Sequence, residues 1–72
     1  MFSKEVFSQR LKETRIKNGE KQYQLADYLG INKSRVSEME KGLAATSFDK
    51  LVMICEHYNV SADYLLGLKD EP

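Results

Sequence analysis

Between Gln22 and Gly42 the chain reads QYQLADYLGINKSRVSEMEKG, two runs of helical periodicity separated only by Gly30, Ile31 and Asn32. Leu25, Ala26 and Leu29 recur at the spacing of one helical face, and Val36 and Met39 do the same beyond the turn. Gly30 supplies the permissive backbone that lets one helix stop and the chain bend sharply, and Asn32 is a favoured N-cap for the helix that restarts. Two helices joined so tightly cross at a steep angle. Ala26, four residues before the glycine, puts a small side chain at the crossing, while Leu25, Leu29, Ile31, Val36 and Met39 fill the angle. With that face spent on packing, Lys33, Ser34, Ser37 and Glu38 are left on an outer face of the second helix.

The rest of the chain supplies the core that such a pair needs. Residues 3 to 18 read as a helix capped by Ser3, with Phe2 and Phe7 placed for a hydrophobic staple across the cap. Phe7, Leu11 and Thr14 make its inward stripe, and Lys12, Glu13 and Lys17 face out. Asn18 and Gly19 end it. The paired helices are predicted over Gln22 to Leu29 and about Lys33 to Lys41, with Gly42 closing the second. Ser47 caps a fourth helix through Tyr58 in which Phe48, Leu51, Ile54, Cys55 and Tyr58 form a wide apolar stripe, and Asn59 breaks it. Ser61 caps a short fifth helix that ends before Gly67 and offers Leu65 and Leu66 to the core. Nothing alternates with the period of a strand. The expectation is an all-α fold of five short helices, a single domain over residues 1–68 with a frayed tail over 69–72.

Size and composition narrow the possible functions. A chain of 72 residues hides only about 60% of its unfolded surface and has little room for a catalytic cleft. It holds one His, one Cys and no Gly-rich phosphate loop, so no catalytic or metal-binding constellation can be assembled, and neither enzyme activity nor a cofactor is expected. Cys55 stands on the apolar stripe, and His57 near a helix end reads as an exposed or dipole-favoured side chain. No apolar run approaches the roughly 20 residues of a membrane span, and the start, MFSKEVFSQR, is charged too early for a signal peptide, so a cytoplasmic protein is expected. The formal net charge is zero, but residues 1–41 carry nine Lys/Arg against six Asp/Glu, while residues 42–72 carry two against five. The cations lie in the half that holds the helix pair.

Gln22, Leu25, Ala26, Gly30, Ile31, Asn32, Val36, Glu40 and Gly42 together resemble the helix-turn-helix pattern of phage Cro proteins and phage repressors, the xenobiotic-response-element (XRE) family. RLKETRIKNG, Arg10 to Gly19, is similar to that family's first helix, and YNVSADYLL, Tyr58 to Leu66, to its closing turn and fifth helix, so nearly the whole chain is covered. The pattern differs at Glu20 and Lys21, where an apolar residue and a Ser or Thr N-cap are usual, and at Thr14 and Thr46. The resemblance implies a compact five-helix bundle of the lambda-repressor-like DNA-binding type, helices 2 and 3 forming the helix-turn-helix, and a bacterial or phage source.

The resemblance also implies roles for individual residues. The third helix enters the major groove, with Lys33, Ser34, Ser37 and Glu38 as base readers. Gln22 binds a phosphate and braces the start of the recognition helix, while Arg10, Lys21, Arg35 and Lys41 are further phosphate or positioning contacts. Arg15 and Glu40 correspond to a buried ion pair tying the first helix to the third. Tyr58, Tyr64 and Leu68 are the residues that family practice offers for a dimer contact. The function implied is a sequence-specific regulator of transcription, most simply a repressor bound as a homodimer to a two-fold operator in double-stranded DNA, with no small-molecule ligand or membrane partner. A polar helix face is ordinarily just solvated, and zero net charge with Glu38 among the readers keeps a second reading open: an antitoxin-like or antagonist module that binds another protein through the same fold.

Overall fold

The computed structural model describes residues 2–72, which form five α-helices in the order α1 Lys4–Lys17, α2 Gln22–Leu29, α3 Lys33–Glu40, α4 Phe48–Tyr58 and α5 Ala62–Leu65. The boundaries are set by caps. Ser3, Asn32, Ser47 and Ser61 each offer a side-chain oxygen to the backbone N–H three residues on, at 3.3, 2.9, 3.3 and 3.1 Å. Lys21 has no such oxygen for α2. There the Gln24 Oε1 turns back and accepts the Lys21 backbone N–H at 2.8 Å, half of a capping box performed without a Ser or Thr.

Gly30 ends α2 in the left-handed conformation (φ 71°), and the Ile31 N–H donates to the Ala26 carbonyl at 3.0 Å. That bond satisfies a carbonyl the helix end would otherwise leave unpaired while turning the chain toward Asn32. At the far end of α3, the Leu43 N–H reaches the Glu38 carbonyl at 3.0 Å, so the recognition-helix candidate is closed at both ends by local bonds.

The core lies where the five helices converge. Phe7 and Leu11 of α1, Leu25, Ala26 and Leu29 of α2, Val36 and Met39 of α3, Leu51, Ile54 and Tyr58 of α4 and Leu65 of α5 are all buried. Phe2 lies against Phe7 with ring centroids 6.4 Å apart, the staple expected at the start of α1. α1 packs on α3 and α5, and α2 on α3 and α4. The α2–α3 pair is thus held from behind by α1 and α4, and the solvent side of α3 stays open.

Two sequence expectations change. Phe48 does not join the core stripe; it is 86% exposed. It occupies the first position of α4, where a side chain leans toward the helix N-terminus and so projects past the packed end of the helix. The exposed tail, expected to fray, makes two bonds to the body of the domain: Arg10 NH1 donates to the Lys69 carbonyl at 2.6 Å, and the Ser61 N–H donates to the Pro72 carbonyl at 2.9 Å.

Candidate nucleic-acid interface

The exposed side of α3 presents Lys33, Ser34, Ser37, Glu38 and Lys41 around one shallow depression. Val36 and Met39 are buried on the opposite side, which is why these positions share the solvent face. Asn32 Oδ1 accepts both the Arg35 backbone N–H and the Ser34 hydroxyl, the latter at 2.6 Å. The Ser34 proton is therefore committed to the cap, and its oxygen is left as an acceptor toward anything entering the depression. Arg35 NH1 lies 3.7 Å from Glu38 Oε1, both side chains half exposed, so Glu38 has a cationic neighbour on its own helix.

Behind this face sits a polar network joining four helices. The Arg15 guanidinium donates through Nε to Glu40 Oε2 at 2.6 Å and through NH2 to Glu40 Oε1 at 2.9 Å, a bidentate pair between α1 and α3. Its NH1 donates to the Glu20 carbonyl at 2.7 Å. Gln22 Nε2 donates to Glu40 Oε1 at 3.0 Å, so α2 is tied into the same carboxylate. The hydrogen bond with Glu40, resisted by burial, raises the Arg15 pKa further above its usual value and holds the cation charged.

Glu20 extends the network to α4. Its carboxylate accepts the Tyr58 hydroxyl at 2.7 Å and the His57 Nε2–H at 2.9 Å, and the His57 ring stacks on Tyr28 of α2 with centroids 4.0 Å apart. Burial would push the Glu20 carboxyl up, but the hydrogen bonds from Tyr58 and His57, with the charges of His57 and Arg15, outweigh it and hold it below the ordinary value. For Tyr58, burial and the bond to Glu20 act together and drive the phenol far above its ordinary value. Burial, with the charge of Glu56, likewise raises the Cys55 thiol and keeps it protonated.

The sequence-derived site residues therefore fall into two groups. Lys33, Ser34, Ser37, Glu38 and Lys41 are brought together, with exposed Lys21 preceding α2 and Arg35 on α3. Gln22 stands at the start of α2, but the residue it braces is Glu40 in the last turn of α3 rather than Lys33. Arg10 is not available to a phosphate as expected. Its guanidinium lies 4.5 Å from the centre of the Tyr64 ring and donates to the Tyr64 carbonyl at 2.6 Å, with Asp70 Oδ1 at 3.3 Å, because α1 packs on α5 at this point. Tyr58 is buried and hydrogen-bonded, so it offers nothing to a second copy; Tyr64 lies partly buried under Arg10; only Leu68 of the three expected dimer residues is exposed. The Glu20–His57 link lies outside the sequence-derived site. One signal for it exists in the sequence: a tyrosine on a core stripe needs a partner for its hydroxyl, and Glu20 stands where an apolar residue is usual.

The helix-turn-helix family designated HTH_3 matches residues 11–65. The chain is 39% identical over 67 residues to the uncharacterized HTH-type transcriptional regulator YobD of Bacillus subtilis, covering 93% of this chain and 60% of that protein. It is 44% identical over 62 residues to the HTH-type transcriptional regulator ImmR of the same organism, covering 86% and 48%. The chain thus spans about half to three fifths of these relatives' length. Among solved structures it resembles SinR, a master regulator for biofilm formation, in complex with DNA, at a TM-score of 0.75 and 31% identity over 83% of this chain and 97% of that one. With five helices at this spacing, a capped α2–α3 pair around Gly30 and a match over most of its length, the chain belongs to the XRE-type HTH_3 family of helix-turn-helix proteins.

Proposed function

We propose that the chain is a sequence-specific reader of double-stranded DNA that represses transcription as a homodimer on a two-fold operator, with α3 in the major groove. The observation that carries this reading is the solvent-facing row Lys33, Ser34, Ser37 and Glu38 on a helix whose opposite face, Val36 and Met39, is spent on the core. Lys33 in the first turn suits guanine O6 and N7, and Glu38 suits the cytosine amino group. Ser34, its proton committed to Asn32, accepts from a base amino group; Ser37 donates or accepts. Gln22 has one amide N–H on Glu40 and a second left for a phosphate, flanked by the backbone N–H groups at the start of α2. Lys21, Arg35 and Lys41 supply further phosphate contacts, which set register without reading sequence.

The size of the molecule supports two copies on such an operator. The molecule measures 28 × 23 × 21 Å, whereas successive major-groove faces on one side of a duplex are about 34–36 Å apart. A similar structure that contains DNA, that of SinR, supports the same reading by analogy.

Selection of binding sites from randomised duplex DNA at near-physiological salt tests the proposal. An inverted repeat with half-sites about 10 base pairs apart is expected. Recovery of salt-sensitive but sequence-blind binding alone would remove the base-reading role and shift the reading to the protein-binding module, antitoxin-like or antagonist.

A further inference from the structure

Glu20 places a carboxylate immediately before Lys21 and two residues before Gln22, at the end of α2 that a phosphate would approach. The first backbone N–H groups of a helix attract any anion, so a carboxylate beside them competes for the bonds a phosphate needs. The Gln24 N–H is spent on the Lys21 carbonyl at 3.1 Å, and the Lys21 N–H on Gln24 Oε1 at 2.8 Å. The N–H groups of Gln22 and Tyr23 have no partner among the described residues. Those two donors are open to a phosphate, or to a Glu20 side chain left free.

The fold directs the carboxylate elsewhere. The Glu20 backbone is fixed on α1, its N–H donating to the Arg15 carbonyl at 3.1 Å and its own carbonyl accepting Arg15 NH1 at 2.7 Å. From that anchor the side chain reaches α4. Oε1 accepts the Tyr58 hydroxyl at 2.7 Å, and His57 Nε2 lies 2.9 Å from Oε2 and 3.0 Å from Oε1. The His57 ring is held in turn by its stack on Tyr28 of α2. Both carboxylate oxygens are engaged, and the side chain is left only 24% exposed.

We infer that His57 and Tyr58 are positioning residues for DNA binding, which hold the Glu20 carboxylate against α4 and so leave the Gln22 and Tyr23 N–H groups open to a phosphate. They act through Glu20, not on DNA. Neither side chain lies on the exposed face of α3, so their influence falls on all duplex sequences alike.

Fluorescence anisotropy against one random-sequence duplex, at a low and a high salt concentration, measures the effect. Tyr58→Phe and His57→Phe each keep an aromatic ring and delete its donor. Together they should weaken binding about two- to fivefold, the size of a single-charge effect at a helix start. The loss should be larger at low salt, where a competing charge is screened least. Adding Glu20→Gln to the pair should restore binding, because the amide keeps an acceptor for position 58 of the wild type but carries no charge. Loss of packing alone would not be suppressed in this way. Circular dichroism checks that each variant is folded, and His57→Phe alone, at a partly exposed position, should show the same sign with a smaller loss.

This role rests on the phosphate contact proposed for the start of α2, and NMR of the free protein separates the two. In the Tyr58→Phe, His57→Phe pair the backbone amide signals of Gln22 and Tyr23 should move as the carboxylate turns onto them, and should return when Glu20→Gln is added. Unmoved amides, duplex binding that ignores the pair, or a loss that Glu20→Gln does not restore would overturn the inference and leave the DNA reading standing. Amides that move and return in a protein that binds no duplex would keep the hold on Glu20 and remove the DNA reading.

Discussion

Arg15 and Glu40 meet through two parallel hydrogen bonds of 2.6 and 2.9 Å, the guanidinium side chain 9% exposed and the carboxylate side chain 2%. This pair fixes the end of α3 to α1 across the middle of the domain. It also orients Gln22, whose amide shares the Glu40 carboxylate.

Removing one partner leaves the other charge buried without compensation. Arg15→Met is therefore expected to lower unfolding stability by about 3–5 kcal/mol. The double variant Arg15→Met with Glu40→Met should recover a large part of that loss, because neither charge remains to be desolvated. Urea denaturation of the two single variants and the double variant measures the coupling directly.

Glu20 predicts the pH dependence. Its folded pKa lies below the ordinary carboxylate value of 4.5, so the folded state binds the proton less tightly than the unfolded chain does. The resulting stabilisation is fully present above the unfolded value and is lost as pH falls through the lower, folded value. Unfolding of wild type and Glu20→Gln from pH 7 down to about 3 should show a wild-type advantage that is constant near neutrality and shrinks on acidification. A difference that grew at low pH would contradict the geometry around Tyr58 and His57.

Gly30 isolates a backbone effect. A Cβ at this position would meet no atom within 4 Å, yet φ is 71°. Gly30→Ala should cost about 1–2 kcal/mol through the left-handed conformation alone. Thermal unfolding should show a lowered Tm, and two-dimensional NMR should show the α2–α3 arrangement intact, since nothing is displaced sterically.

Arg10 and Lys21 separate structural from electrostatic cations. Lys21→Ala should weaken binding to all duplex sequences alike and reduce the salt slope by about 1. Arg10→Ala should leave that slope unchanged and instead speed amide exchange after α5, since its guanidinium holds the Tyr64 and Lys69 carbonyls. Titrations against one random-sequence duplex at several salt concentrations distinguish the two.

Lys33 tests base reading. Lys33→Ala is expected to relax preference at a single operator position by roughly 1–3 kcal/mol while leaving the others intact. Equal loss over all sequences would place Lys33 among the phosphate contacts.

Much of this molecule is determined locally. Ser3, Asn32, Ser47 and Ser61 act on backbone groups three residues away, and Gly30 acts on its own dihedral, so five helices and a sharp turn follow from spacing and residue type. The outward row on α3 follows in the same way from the inward placement of Val36 and Met39. What only the tertiary structure decided are relationships between residues far apart in the chain: Glu20 with His57 and Tyr58, Arg10 with Tyr64 and Lys69, Gln22 with Glu40. Periodicity states which face of a helix is buried; it does not state which long polar side chain, with several rotamers to choose from, finds a partner across the core. Phe48 shows the same limit at a helix end. Its position in the stripe assigns it inward, but only the placement of the neighbouring helices shows that the core stops one turn short of it.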